Sequence, residues 1–303
     1  MSSTGAAPLL DPKRPLVAAG NLRRRRRVDL LMRGLATSAA ILAVVVLVIV
    51  VVTVAEKGLS QLSISFLFKD QAAGIGTVGG GIADALVGSG LLVLLATAMS
   101  LPFGVLIAIY LTEFSTPRTA RPIRLVLDLL NGMPSIVIAV FVYGLLIEGH
   151  SQVGWAGSFA LAIIMVPLVA RATGEMLMLV PRELRDASHA LGISRWRTIA
   201  GIVVPSALGG ILTGTVLAIA RAAGETAPLL FTTSIFSTST TVNIFGTALP
   251  NIPILIFQDS ESPFAPDHAR AWGAAFVLIV LILIGNLSAR AMLERQRRKI
   301  QSR

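Results

Sequence analysis

Two arginine–glutamate pairs are the residues most able to do chemistry in this chain. VARATGEML (169–177) carries Arg171 and Glu175; IARAAGETAPL (219–229) carries Arg221 and Glu225. In each pair the acid lies four residues after the base, so a helix sets both on one face. A planar guanidinium grips an oxyanion through forked hydrogen bonds better than an ammonium does. A carboxylate beside it limits affinity, and a passing ion must be able to leave as well as enter. The pattern therefore suits an anion pathway lined by Arg171 and Arg221 and tuned by Glu175 and Glu225. The alternative is that each glutamate neutralises its own arginine and the pairs only fix helix packing. Thr226 offers a further hydroxyl donor, and Pro228 is placed to break the helix and free backbone groups.

The surroundings make these charges costly. The 303 residues are 54% hydrophobic and only 14% charged, with mean hydropathy +0.78. A soluble domain carries about 25% charge, so the composition points to an all-α, polytopic transmembrane bundle. Uncharged runs at 34–55, 85–112, 129–147, 151–170, 198–220 and 271–289 predict six spans, each near the roughly 20 residues a bilayer requires. The fourth run extends past Arg171 and Glu175 toward Pro181. The stretch 226–258, with Pro228, Pro250, Pro253 and STSTT (237–241), reads as an outer loop with a partly inserted segment. Arg171 then lies about 15 Å from Pro181 and Arg221 about 24 Å beyond Pro205, both near mid-bilayer. Charge there costs on the order of 2.5–3.5 kcal/mol each.

Charge placement sets the predicted orientation. With the N-terminus inside, 21 of the 26 basic residues fall on the cytoplasmic side and only Lys57, Lys69 and Arg270 outside, a strong positive-inside bias. The net charge of +10 is thus mainly topological, with nucleic-acid binding by RRRRR (23–27) the lesser alternative. The apolar run after those arginines is long enough to span, so it reads as a retained anchor and not a secretory signal. The expected divisions are a basic cytoplasmic tail at 1–29, an anchor helix at 30–56, a transmembrane core at 80–292 and a basic tail at 293–303. Cysteine is absent and the three histidines are far apart, which excludes thiolate chemistry and argues against a metal centre.

The long loop PRELRDASHALGISRWRTIAGIVVP (181–205) predicts a helix–turn–helix. A polar helix over 183–191 stops at Gly192, a residue suited to a left-handed cap. Leu184, Ala187, Ala190 and Leu191 leave a small apolar face for a partner groove. Asp186-Ala187-Ser188, three residues, Gly192, nine residues and Ile202-Val203-Val204-Pro205 resemble the EAA motif, E-A-A-x3-G-x9-I-x-L-P, of binding-protein-dependent ABC importer permeases. The spacing is kept; Asp186, Ser188 and Val204 replace Glu, Ala and Leu. The resemblance implies a type I ABC importer permease architecture. It also implies a coupling helix that docks on a separate ATPase through Glu183, Asp186, Ala187, Ser188, Gly192, Arg195 and Pro205.

No lysine follows a glycine or precedes Ser or Thr, so the chain carries no phosphate-cradling P-loop of its own. ARAAGETAPLLFT (220–232) and GMPSIV (132–137) further resemble segments of the A-type permeases of bacterial phosphate importers. That resemblance implies phosphate uptake across the bacterial inner membrane. It further implies a homologous C-type permease subunit, a dimeric ATPase holding ATP and Mg, and an extracytoplasmic phosphate-binding protein. The family's buried charges fall on Arg171, Glu175, Arg221 and Glu225. Rival readings are a permease for molybdate, sulfate or phosphonate, and a proton-coupled carrier using Glu175 or Glu225. An intramembrane hydrolase built on Ser135 is more remote, because no His or Lys neighbours it as a base.

Overall fold

The computed structural model describes residues 22–72, 74, 76–234 and 240–301, and every regular element among them is helical. In chain order these are α1 (Leu22–Leu59), α2 (Ile64–Phe68), α3 (Ala83–Ile109), α4 (Pro117–Gly132), α5 (Ser135–Val142) and α6 (Gly154–Met178). They continue with α7 (Arg182–Ala190), α8 (Arg195–Thr198), α9 (Val204–Ala223), α10 (Ala227–Thr232), α11 (Ile252–Glu261) and α12 (Ala265–Gln301). Wide π-turns at Tyr110–Phe114 and Tyr143–Ile147 extend α3 and α5, and a third, Ile199–Val203, leads into α9. The third has a visible cause: Pro205 has no N–H for the preceding turn, and a wider turn just ahead of it accommodates the missing bond.

The chain divides into two units, residues 1–53 and 54–303. In the first unit the described element is α1, whose side chains from Leu35 to Val52 are exposed, as lipid contact requires. α1 begins at Leu22, so the arginines at 23–27 are helical and continuous with the anchor segment. Arginine is a good helix former and no proline intervenes. The backbone of α12 likewise runs on to Gln301, through most of the expected C-terminal tail.

Among the described residues, five helices are long and apolar enough to cross a membrane: 23–59, 83–114, 154–178, 195–223 and 265–288. Counted as one broken span, α4 and α5 make a sixth, and it is not the straight helix that the run 129–147 suggests. The chain bends by 99° between Gly132 and Ser135. Pro134 excludes its predecessor from helical geometry, and Met133 is accordingly extended, φ −69° and ψ 136°. The arm from Ser135 to Ile147 is about 20 Å long, short of the roughly 30 Å hydrocarbon core.

In the second unit α6 is the most enclosed of these helices, with α3 along one flank and α9 along another. Small residues permit the close packing. A Cβ on Gly104 would lie 2.7 Å from Val169, and Cβ atoms on Gly210 and Gly214 would lie 2.1 Å from Met176 and 2.3 Å from Ala172. The described residues of 226–258 include α10 and the start of α11, with Leu229, Ile252, Ile254 and Leu255 buried, in keeping with a segment drawn into the bundle. Asn251 caps α11, accepting from Ile254 N at 3.1 Å and donating to the Leu249 carbonyl at 3.2 Å. Of STSTT, residues 237–239 lie outside the described residues.

Candidate translocation site and coupling surface

α9 ends at Ala223, and Gly224 closes it. The chain therefore leaves the helix just before Glu225, and Pro228 sits in the first turn of α10, where its missing N–H is harmless. Arg221 Nη2 stands 3.6 Å from Glu225 Oε1; the arginine side chain is 59% exposed and the glutamate 16%. Both line a cleft of about 150 Å³ together with Asn131, Pro134, Ser135, Ile138 and Ile164. The 99° bend thus forms one wall of the cleft and the Arg221–Glu225 pair another. Two sequence features some ninety residues apart meet here, GMPS and ARAAGE. Thr226 does not line the cleft. Its carbonyl accepts from Leu230 N at 3.0 Å and starts α10.

Arg171 departs from expectation. Its Nη2 donates to Asp128 Oδ1 at 2.6 Å, with side chains 54% and 62% exposed, and no ion pair joins it to Glu175 among the described residues. The i,i+4 spacing makes such a pairing available without compelling it. Ahead of the bend, α4 packs on α6 and brings a carboxylate within reach of a long, adaptable side chain. Glu175 remains exposed one turn further along. Ile164, Leu168, Arg171 and Glu175, at spacings of four, three and four, form one stripe of α6, and that stripe faces the cleft at Ile164.

The relative levels of the two arginines follow from the α6–α9 contact. Gly214 meets Ala172 and Gly210 meets Met176, so the helices are antiparallel and Arg221 is level with about residue 165 of α6. Arg171 therefore lies six residues further along, about 9 Å down the helix axis.

At the end of the bundle carrying α7, the helix–turn–helix forms as the spacing predicts. Gly192 has φ +74°, a value that favours glycine, and its N–H reaches the His189 carbonyl at 2.9 Å. Glu183, Asp186, Ala187 and Ala190 are exposed, as are Leu184 and Leu191, the latter 79%. The apolar face is unpartnered among the described residues. Ser188 points the other way: it is buried, its hydroxyl 2.7 Å from that of Thr198. Arg195 lies over the Phe114 ring at 4.9 Å, and Trp196 packs against the same ring at 6.1 Å. Pro205 sits in the first turn of α9.

Arg185 and Glu113, which spacing did not single out, hold the loop in place. Arg185 donates to Glu113 Oε1 from Nη2 at 2.9 Å and from Nε at 3.3 Å. It also donates to the carbonyls of Val180 at 2.6 Å and Leu177 at 2.9 Å. One side chain thus ties α7 to the end of α3 and to the C-terminal carbonyls of α6, groups that a helix end leaves without partners. The available signal was a lone acid at the end of an apolar run and an arginine opening a loop helix, which suggests a pair without naming one.

A multi-pass helical bundle, a charged cleft at a bent helix pair and an exposed helical loop are the parts expected of a membrane permease. The family described as binding-protein-dependent transport system inner membrane component matches residues 100–301, and the chain belongs to it. Among its relatives is the phosphate transport system permease protein PstA of Yersinia pestis, 41% identical over 246 residues, 80% of this chain and 81% of that one. The protein of the same name from Xylella fastidiosa is 39% identical over 279 residues, 91% and 96% of the two chains. A bacterial alginate ABC transporter, solved with a pentasaccharide-bound periplasmic protein, shares the fold. Its TM-score is 0.64 at 14% identity, covering 90% of this chain and 97% of that one. The inward-facing MetNI methionine ABC transporter gives a TM-score of 0.55 at 17% identity, over 71% and 94%.

Proposed function

We propose that this chain forms half of the path by which inorganic phosphate enters a bacterial cell across the inner membrane. A homologous permease subunit completes the path, and a dimeric ATPase using ATP and Mg drives it. An extracytoplasmic phosphate-binding protein supplies the anion. The observation that carries this reading is the Arg221–Glu225 pair at the mouth of a cleft bounded by the broken span; the phosphate permeases among the relatives give the anion its identity. Phosphate, with a charge near −1.5 to −2 as in phosphate esters, meets Arg221 and then Arg171, and neighbouring carboxylates keep either site from becoming a trap. The exposed face of α7 docks in the ATPase, and closure of that dimer passes through Arg185 and Glu113 to α6 and α3. Both termini then lie in the cytoplasm, as the basic residues predict.

The test is radiolabelled phosphate uptake in cells carrying Arg221→Gln. Uptake should fall to background with the protein present at normal level, whereas normal uptake would overturn the assignment. Block by vanadate, and not by an uncoupler, separates an ATP-driven permease from a proton-coupled carrier. Competition with molybdate and sulfate separates the oxyanions.

A further inference from the structure

The choice of partner by Arg171 is informative. Glu175 lies one turn away on the same helix face, yet the guanidinium reaches across to Asp128 on α4 at 2.6 Å. Asp128 is one turn before Asn131, which lines the cleft, and Arg171 is on the α6 stripe that faces the cleft at Ile164. Ala120 and Leu127 are the buried residues of α4, so that helix is lightly held and leaves the Asp128 carboxylate exposed. Both members of the pair are more than half exposed. Exchanging one carboxylate for another anion there carries little desolvation cost.

We propose that Asp128 is a positioning residue of the pathway: it holds Arg171 in waiting and yields it to each passing oxyanion. The path then contains two guanidinium–carboxylate stations staggered by about 9 Å along the bundle, Arg221 with Glu225 and Arg171 with Asp128. Each is electrically neutral when empty, and each regains its own carboxylate when the anion moves on. Asp128 therefore competes with the anion, which weakens binding and speeds release. Glu175 is left outside the second station. This inference rests on the phosphate-permease reading above.

The test uses this chain co-purified with its partner subunits, with inorganic phosphate as the probe and no binding protein present. Calorimetric titration gives Kd, and ATP-driven uptake into proteoliposomes with binding protein added gives the maximal rate. Asp128→Asn should bind phosphate roughly two- to fivefold more tightly, the range expected for an exposed ion pair, and transport it more slowly. Arg171→Gln should bind it more weakly and also transport it more slowly, and Asp128→Glu should stay near the unsubstituted protein in both. A purely structural pair predicts that losing either partner moves Kd the same way. If Asp128→Asn weakens binding, or leaves Kd and rate unchanged, the assignment of Asp128 is overturned. Should Asp128→Asn fail to assemble, Asp128→Ser provides the same comparison of Kd. Normal uptake in Arg221→Gln would instead overturn the pathway reading itself.

Discussion

Arg185 and Arg171 lie on consecutive helices, and each takes its acid from an earlier element, but the two pairs are built differently. Arg185 and Glu113 are 18% and 9% exposed, with two hydrogen bonds between them and two more from the arginine to helix-end carbonyls. Arg171 and Asp128 share one contact and are more than half exposed. Arg270 resembles the first case: 10% exposed, it bridges Asp259 at 2.7 Å and Asp267 at 3.0 Å and joins α11 to α12. A charge with several partners and little water is a fixed strut, because no single exchange can satisfy it. An exposed charge with one partner can be handed over. Pairs of the first kind tie α7 to the end of α3 and α11 to α12; the Arg171–Asp128 pair is of the second kind and lies one turn from Asn131 of the cleft.

The largest expected effect comes from breaking a strut. Glu113→Ala should lower stability by about 3–5 kcal/mol, because it leaves a desolvated guanidinium without its counter-charge; thermal denaturation in detergent and the amount of assembled protein measure this. Gly214→Val places a side chain where the Cβ alone would lie 2.3 Å from that of Ala172. Overpacking of this kind costs about 1–3 kcal/mol, and by spreading α6 from α9 it should also disturb the relative level of the two arginines, which a crosslinking distance between the helices would show. Asn251→Ala removes the cap of α11 and should cost about 1 kcal/mol, read by the same denaturation. Arg171→Gln should change stability by under about 1 kcal/mol, as an exposed ion pair does, while reducing phosphate uptake. A stability loss as large as that of Glu113→Ala would erase the distinction between the two classes. Leu191→Ala, at a side chain 79% exposed, should leave stability within about 0.5 kcal/mol but lower ATPase-coupled uptake. Unchanged uptake would remove α7 as the docking element.

Legibility was uneven, and the reason is the range of the interactions. The cap at Gly192, the loop helix before it and the end of α6 ahead of Pro181 are local events, governed by one residue's φ or a missing N–H. They were readable from a few adjacent letters. The bend at Met133–Pro134 was half readable: the proline was visible, but not that it would turn the chain by 99° and leave a short arm. The partners of Arg171 and Arg185 were not readable. Asp128 and Glu113 are 43 and 72 residues away, and nothing in their own neighbourhoods points across that distance. Ser188 was grouped with the docking residues because it stands in a motif, and packing turned it inward to Thr198.

Hydropathy, basic-residue bias and the positions of Gly and Pro determined that this chain is a helical membrane bundle with an exposed helical loop, since cost in a bilayer is counted residue by residue. Which acid neutralises which arginine, and whether that pair is sealed or wet, was decided only by the crossing of α4 over α6 and by the glycine contacts that set α9 beside it. Electrostatic pairing depends on distance and on access to water, and neither quantity exists until helices remote in sequence are packed together.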